Sequence, residues 1–229
     1  MADFSALNGA TLVLDLDGTL VDSAPDLIGT LNVLLAQEGL APLPLEEGRP
    51  LIGHGARRLI ERGFAAQGDS LPAARMDDLF ARFIAHYGDH SADLTRPFPG
   101  AVQALTQMKA AGARLAVCTN KLTGLSIGIL EKLDLARLFD AVVGGDSVPA
   151  AKPDPGHLAA TIQAAGGTIG RAVMIGDAAT DAGAARGARV PLILVSFGYT
   201  EVPAAELAPD ILIGHFDELP TACVRLLTA

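Results

Sequence analysis

The chain has 229 residues, half of them hydrophobic and 19% charged, enough to bury one large core or a core carrying an insertion. Its formal net charge of −9, with no basic stretch, excludes the clustered Lys and Arg that grip nucleic-acid phosphates, so an anionic ligand would need a local cation or a metal. No stretch is apolar for long enough to cross a bilayer, and MADFSALNGATLVLDLDG lacks the basic and apolar regions of a signal peptide, so no membrane partner is expected.

TLVLDL, residues 11–16, is aliphatic up to two carboxylates, Asp15 and Asp17, and the chain then turns on Gly18. Beyond it, residues 24–39 place Leu27, Ile28, Leu31, Leu34 and Leu35 on one helical face. Residues 55–66 and 72–87 read as further helices, and the turn-rich GLAPLPLEEGRP joins two of the three. Helices and strands then alternate: helix 100–111, strand 114–119, helix 122–133, strand 141–145, helix 155–165, strand 172–176, helix 178–187, strands 191–196 and 211–213, and helix 217–227. The strands are apolar throughout rather than at every second position, the mark of a parallel sheet covered on both faces. The order predicts an α/β fold with a doubly wound parallel sheet. About ninety residues, mostly helical, separate the first strand from the second. The expected organisation is an α/β catalytic core of residues 1–22 and 94–229 with an inserted α-helical cap domain, residues 23–93. Its hinges fall near 18–23 and 90–99, where TRPFPG stiffens the return. Cys118 and Cys223 belong to no CxxC pair; Cys118, inside an apolar strand, reads as a small buried hydrophobe, and a reducing, cytoplasmic setting is expected.

In open α/β sheets ligands bind beyond the carboxyl ends of the strands. The first strand delivers Asp15 and Asp17 there, the second Thr119, Asn120 and Lys121. The third is followed by Asp146 and then Lys152, and the fourth by Asp177 and Asp181. Singly, each has an ordinary reading: DG is common turn chemistry, Asp177 can cap a helix, and Lys152 can sit in a solvated loop. Together, carboxylates at this density repel one another unless they are protonated or a cation lies among them. An all-oxygen donor set without a His–Cys cluster suits Mg²⁺, which shares its shell with waters and a substrate phosphate. Beside such an ion Lys152, Thr119 and backbone N–H groups of the Gly18 loop can hold a phosphoryl group. One carboxylate can then attack phosphorus while the other moves protons, because residues i and i+2 of a strand share a face.

DLDGTLVDS, CTNK, KPDP and GDAATDAGAA, in that order, resemble the four motifs of the haloacid dehalogenase superfamily, framing residues 11–181. LIGHGARRLI, SFGYT and ILIGHFDEL resemble its phosphoglycolate phosphatase-like group. The resemblance implies a core of this superfamily's Rossmann-like type and a Mg²⁺-dependent phosphatase that hydrolyses a small phosphorylated metabolite through an aspartyl-phosphate, with phosphoglycolate favoured. It implies Asp15 as nucleophile and metal ligand, Asp17 as acid/base with its carbonyl on the metal, and Asp177 as metal ligand with Asp181 close behind. Thr119 and Lys152 would hold the phosphoryl group, joined in substrate binding by Asn120, Gly18 and, from the cap, His54. Lys121, following the second motif, is placed to meet a substrate carboxylate, and Arg57 and Arg58 to divide between solvent and cleft; His86, His90, His157 and His215 read as surface or packing residues. The family often has Ser where this chain has Ala178, which removes a hydroxyl near the metal. A hexose-phosphate mutase of the β-phosphoglucomutase type, a phosphatase acting on nucleotides or pyrophosphate, and a phospho-aspartate signalling receiver are the alternatives. A monomer or homodimer fits equally.

Overall fold

In a computed structural model describing residues 3–228, six aliphatic segments form one parallel sheet. They are β1 (Thr11–Leu14), β4 (Arg114–Thr119), β5 (Ala141–Gly144), β6 (Ala172–Gly176), β7 (Leu192–Val195) and β8 (Ile211–Ile213), in the spatial order β5-β4-β1-β6-β7-β8. The chain builds outward from β1 to β5, then returns to the other side of β1 to build β6 to β8. That reversal beside β1 is where an α/β sheet opens a crevice. Leu12 is level with Leu115 of β4 and Val173 of β6, so β1 is hydrogen-bonded on both edges and every residue of it is buried.

Because strand residues alternate between faces, the sheet divides its side chains between two apolar layers. Leu12, Leu14, Leu115, Val117, Val173 and Ile175 face the layer that contains α5 (Ala101–Ala110), α6 (Thr123–Lys132) and α9 (Leu219–Thr228). Val13, Ala116, Cys118 and Met174 face the layer of α7 (Pro155–Ala164) and α8 (Ala179–Ala188). Cys118 is a fully buried free thiol in this second layer, as its apolar setting suggests.

Between β1 and β4 stand α1 (Ala24–Gln37), α2 (Leu45–Gly48), α3 (Ala56–Ala66) and α4 (Ala73–His90). All five apolar residues of the α1 face are buried, against Leu59, Ile60 and Phe64 of α3 and Leu79, Phe83 and Tyr87 of α4. A two-stranded antiparallel ribbon of β2 (Val21–Asp22) and β3 (Arg96–Pro97) ties the chain's exit from the sheet to its return. Asp26 reinforces the tie, accepting the Leu94 and Thr95 N–H groups and the Thr95 hydroxyl. The GLAPLPLEEGRP joint is more ordered than a turn. It carries α2, and the Asn32 amide pins it by exchanging two hydrogen bonds with the Leu43 backbone at 2.7 and 2.9 Å.

The first strand is two residues shorter than its aliphatic run suggests. β1 ends at Leu14; Asp15 keeps one sheet contact, N–H to Ile175 O at 2.9 Å, and the chain then turns so that Gly18 N–H meets Val21 O at 3.0 Å. Asp15 and Asp17 therefore approach one crevice from a turn, not from a common strand face. No helix among the described residues is long and apolar enough to cross a membrane.

Candidate active site

Strand ends β1, β4 and β6 deliver the chemistry. Asp15, 5% exposed, follows β1; one of its oxygens accepts the Leu16 N–H at 2.7 Å and lies 2.9 Å from Lys152 Nζ. Lys152 Nζ also donates to Asp181 Oδ1 at 2.6 Å. Asp177, at the end of β6, accepts the Thr19 hydroxyl at 2.8 Å and the Tyr199 N–H at 2.7 Å. Asp15, Asp177 and Asp181 are all buried and each offers an oxygen within 4.8 Å of the others.

This arrangement is electrostatically loaded. Two full charges at such a distance repel by about 3–4 kcal/mol at an effective dielectric near 20. Burial raises the Asp15 pKa, Lys152 pulls it back, and Asp181 and Asp17 add to it, leaving it at about 7. Burial, then Asp181 and Asp15, lift Asp177 well above the usual carboxylate range. Burial opposes the charge on Lys152, but Asp15 and Asp181 outweigh it and hold the ammonium protonated. The described residues thus hold three crowded carboxylates, two of them paired with one buried ammonium, an all-oxygen pocket short of positive charge. That donor set fits a hard divalent cation.

Close backbone approach makes the crowding possible. A Cβ on Gly198 would lie 2.2 Å from Asp177 Cβ, and one on Gly18, where φ is +82°, would lie 2.6 Å from Asp177 Oδ2. Gly198→Ala is therefore expected to push Asp177 from its seat and cost about 1–3 kcal/mol as overpacking; a urea midpoint equal to that of the wild type would contradict this. Gly18, read from sequence as a phosphate contact, has its N–H on Val21 O, and what it contributes here is room.

Asp17 stands apart from the three-carboxylate cluster. It accepts the Ser23 hydroxyl at 2.5 Å and pairs with Lys121 Nζ at 2.9 Å, yet it lines the same cavity as Asp15. Thr119 is buried at the end of β4, its Oγ1 accepting the Lys121 N–H at 3.2 Å. Asn120 bridges the α3 approach to the Lys152 loop, donating to Gly53 O at 3.0 Å and Lys152 O at 3.1 Å, while its buried Oδ1 has no partner. The Lys152 loop is fixed from behind by His157. This fully buried imidazole accepts Lys152 N–H on Nδ1 and faces Val143 O with Nε2, and burial lowers its pKa, so it packs as a neutral ring.

The cavity shared by Asp15, Asp17, Thr119, Asn120 and Lys121 measures about 60 Å³, and its remaining wall is mostly apolar residues of α1, α3 and α4. It adjoins a wider mouth of about 430 Å³ lined by His54, Arg57, Arg58, Asp146 and Lys152. His54 is half exposed and 3.9 Å from Glu201, and it lies at this mouth rather than beside Asp15. Arg57 and Arg58 stand at this mouth with their side chains more than half exposed, paired with Asp77 and Glu61.

Two positions considered from sequence, Asp146 and Ala178, contribute differently from the acidic cluster. Asp146 takes the Thr123 N–H and hydroxyl at 2.8 and 2.7 Å, securing the start of α6 instead of joining the acidic cluster. Ala178 precedes α8 with no side-chain acceptor; Asp181 compensates in part, accepting both the Asp177 and Ala178 N–H groups at 3.1 Å. Thr19 and the Tyr199 backbone, which hold Asp177, were not recognisable as site groups. Their only sequence signal is their neighbours, the DGT turn and the glycine of SFGYT after an apolar strand.

A family model described as haloacid dehalogenase-like hydrolase matches residues 12–195. The chain is 54% identical over its whole length to a phosphoglycolate phosphatase of Caulobacter vibrioides, covering 97% of that protein. It is 46% identical over 217 residues to a phosphoglycolate phosphatase of Agrobacterium fabrum, covering 95% of this chain and 93% of that one. Its backbone is similar to the crystal structure of a predicted phosphoglycolate phosphatase from Haemophilus somnus, with a TM-score of 0.86, 28% identity, and coverage of 93% of this chain and 97% of that chain. With the reversed sheet order, the loaded crevice beside β1 and a family match spanning both, the chain belongs to the haloacid dehalogenase-like hydrolases.

Proposed function

We propose that this protein hydrolyses a small phosphomonoester, phosphoglycolate by preference, in a Mg²⁺-dependent reaction that passes through an aspartyl-phosphate on Asp15. The observation that carries the reading is the buried cluster of Asp15, Asp177 and Asp181, with Lys152 paired to Asp15 and Asp181, whose Asp15 also lines a cavity with Thr119. Asp15, Asp177 and the Asp17 carbonyl would hold the ion. When bound, it neutralises the crowded carboxylates and draws charge from the phosphoryl oxygens.

Each residue then has a defined task. An Asp15 oxygen forms a bond to phosphorus as the ester P–O bond breaks, and Asp17 gives its proton to the leaving alkoxide. Asp17, now ionised, takes a proton from water, whose oxygen attacks the phosphorus and releases phosphate and the Asp15 carboxylate. Lys152 orients Asp15 and balances phosphoryl charge, and the Thr119 hydroxyl completes the cradle, while the Asn120 amide, its N–H groups on Gly53 O and Lys152 O, holds the Lys152 loop in place. Residues 23–93 act as a cap domain moving on the β2–β3 ribbon, with His54 at its rim; closure excludes water and opening releases product. At about 30 Å³ per water in the liquid, the inner cavity of about 60 Å³ has room for only a few atoms beyond the phosphoryl group. A two- or three-carbon ester fits within this enclosed space, whereas a hexose phosphate or a nucleotide would have to extend into the wider mouth.

The test is phosphate release from a panel of small esters with Mg²⁺ and with EDTA, paired with thermal melts. EDTA silences release and Mg²⁺ restores it; release indifferent to chelation counts against the reading. The melts follow from linkage. Asp15 and Asp177 bind protons more tightly folded than unfolded, so their contribution to stability is fully present below their unfolded pKa near 4 and is lost as pH rises through about 7 for Asp15. A cation removes that loss. Mg²⁺ should therefore raise the melting temperature more at pH 8 than at pH 5, and an equal rise at both would contradict the acidic site.

A further inference from the structure

We propose that Lys121 and Tyr87 form a subsite for a carboxylate at the far end of the substrate, selecting phosphorylated acids over neutral phosphate esters. The proposal rests on the phosphatase reading and names what the enclosed side of that cavity recognises.

Lys121 is the only cation among the residues lining the inner cavity. It is 8% exposed, its Nζ lies 2.9 Å from Asp17 Oδ2, and it sits over the Tyr87 ring, 4.6 Å from the centroid. An ammonium has three donors. Asp17 takes one, so Lys121 can keep that pair and still accept a second anion. Burial alone would strip its charge, but Asp17 and Tyr87 outweigh burial and keep it protonated.

Tyr87 supplies an independent observation. It is fully buried in α4, it lines the same cavity, and its hydroxyl has only the neighbouring Lys121 ammonium to turn to, with no well-formed hydrogen bond. A buried hydroxyl left unpaired is unfavourable, and buried tyrosines normally find a partner. Elsewhere this wall is Leu27, Ile52, Leu59, Phe83, Ile84 and Leu125, where a Phe would pack as well. A poorly satisfied hydroxyl beside a lysine, on a residue of the cavity wall, is what an anionic oxygen would complete.

The placement suits a short substrate. Lys121 is two residues beyond Thr119 and its N–H bonds the Thr119 hydroxyl. A phosphoryl group held at Asp15 and Thr119 therefore puts the other end of a two-carbon ester in this part of the cavity. Lys121 comes from the sheet and Tyr87 from the helical insert, so the subsite is complete only when the insert lies over the sheet. A carboxylate would then draw the two together, and a neutral hydroxyl would do so less. Sites that recognise a polar group reject analogues lacking it far more strongly than apolar pockets reject a missing methylene.

The experiment compares kcat/KM for phosphoglycolate and for 2-hydroxyethyl phosphate, which replaces the carboxylate by a hydroxymethyl group. The Mg²⁺-loaded full chain is used as wild type, Lys121→Met and Tyr87→Phe. The wild type should prefer phosphoglycolate by about 100-fold or more. Lys121→Met should reduce that preference at least about tenfold, chiefly through the KM for phosphoglycolate, and Tyr87→Phe by about three- to tenfold. Tyr87→Phe keeps the ring and removes only the hydroxyl, so it reports even if Lys121→Met folds poorly. If both variants slow the two esters equally, Lys121 serves only as countercharge to Asp17 and the subsite is overturned. Wild type that releases phosphate from neither ester overturns the phosphatase reading itself, a result distinct from unchanged preference.

Discussion

Asp15→Asn is expected to lower phosphatase turnover at least about 1,000-fold, which at 25 °C is a barrier increase of about 4 kcal/mol, while leaving the fold intact. The amide has the carboxylate's shape, and its oxygen can still accept from Leu16 N–H and Lys152. It cannot become an acyl-phosphate donor, because the neutral amide oxygen is a poor nucleophile and the resulting adduct a poor intermediate. The variant also removes one negative charge from a cluster in which Asp177 and Asp181 remain. The metal-free protein should consequently melt at the same temperature or higher, even though activity collapses. That divergence separates a chemical role from a structural one: a residue that merely braced the loop would lose stability and activity together. Acid-quenched wild-type enzyme given labelled phosphoglycolate should carry label, and Asp15→Asn should not. Near-normal hydrolysis by the variant would remove Asp15 as the nucleophile.

Much of this geometry was legible because parallel α/β sheets obey a simple rule. Once successive apolar runs are recognised as strands, the residues just beyond each must meet at one edge, and that brings Asp15, Thr119, Lys152 and Asp177 into one crevice without any knowledge of distances. The rule works at the resolution of strand ends and fails below it. It places Asp146 in the site, because Asp146 follows a strand, but the Thr123 hydroxyl and N–H claim that carboxylate for the start of α6. It gives Asp15 and Asp17 a shared face, whereas hydrogen bonds from Leu20 and Val21 N–H to Leu16 O fold the chain into a turn after Leu14. The ribbon of Val21–Asp22 with Arg96–Pro97 is too short to carry periodicity, so only proline and glycine content marked it as a hinge. Contacts between distant positions were beyond reach altogether. Nothing local announces that Tyr199 N–H holds Asp177 or that the Tyr199 hydroxyl bonds Asp22 at the base of the insert. Nor does an alternating pattern reveal that residues 17, 87 and 121 meet. Those meetings depend on how a helical insert settles over a sheet, which is decided by packing over the whole surface of α1, α3 and α4.

Lys152→Met should be damaging in a different way, reducing turnover by a similar order while also destabilising the metal-free protein by about 3–5 kcal/mol at pH 8. The side chain is 1% exposed and its ammonium touches Asp15 at 2.9 Å and Asp181 at 2.6 Å. Methionine fills the stem's volume but leaves both carboxylates buried without a countercharge. The penalty corresponds to roughly 6–20 °C in melting temperature for a chain of this size. Its pH dependence identifies the cause. With Lys152 present the Asp15 pKa already stands at about 7, and removing the one partner that lowers it moves it further up. A carboxyl raised in the folded state contributes stability that is present below its unfolded pKa and lost as pH rises through the folded value. The deficit of Lys152→Met should therefore be small near pH 4, grow through neutrality and be largest above pH 7. Adding Asp15→Asn to Lys152→Met removes one of the stranded charges, so the double variant should melt above Lys152→Met alone at pH 8, a coupling that two independent sites would not show. A deficit that is the same at pH 5 and pH 8 and unaffected by Asp15→Asn would mean that Lys152 contributes packing and not charge, and that the crowded carboxylates do not depend on it.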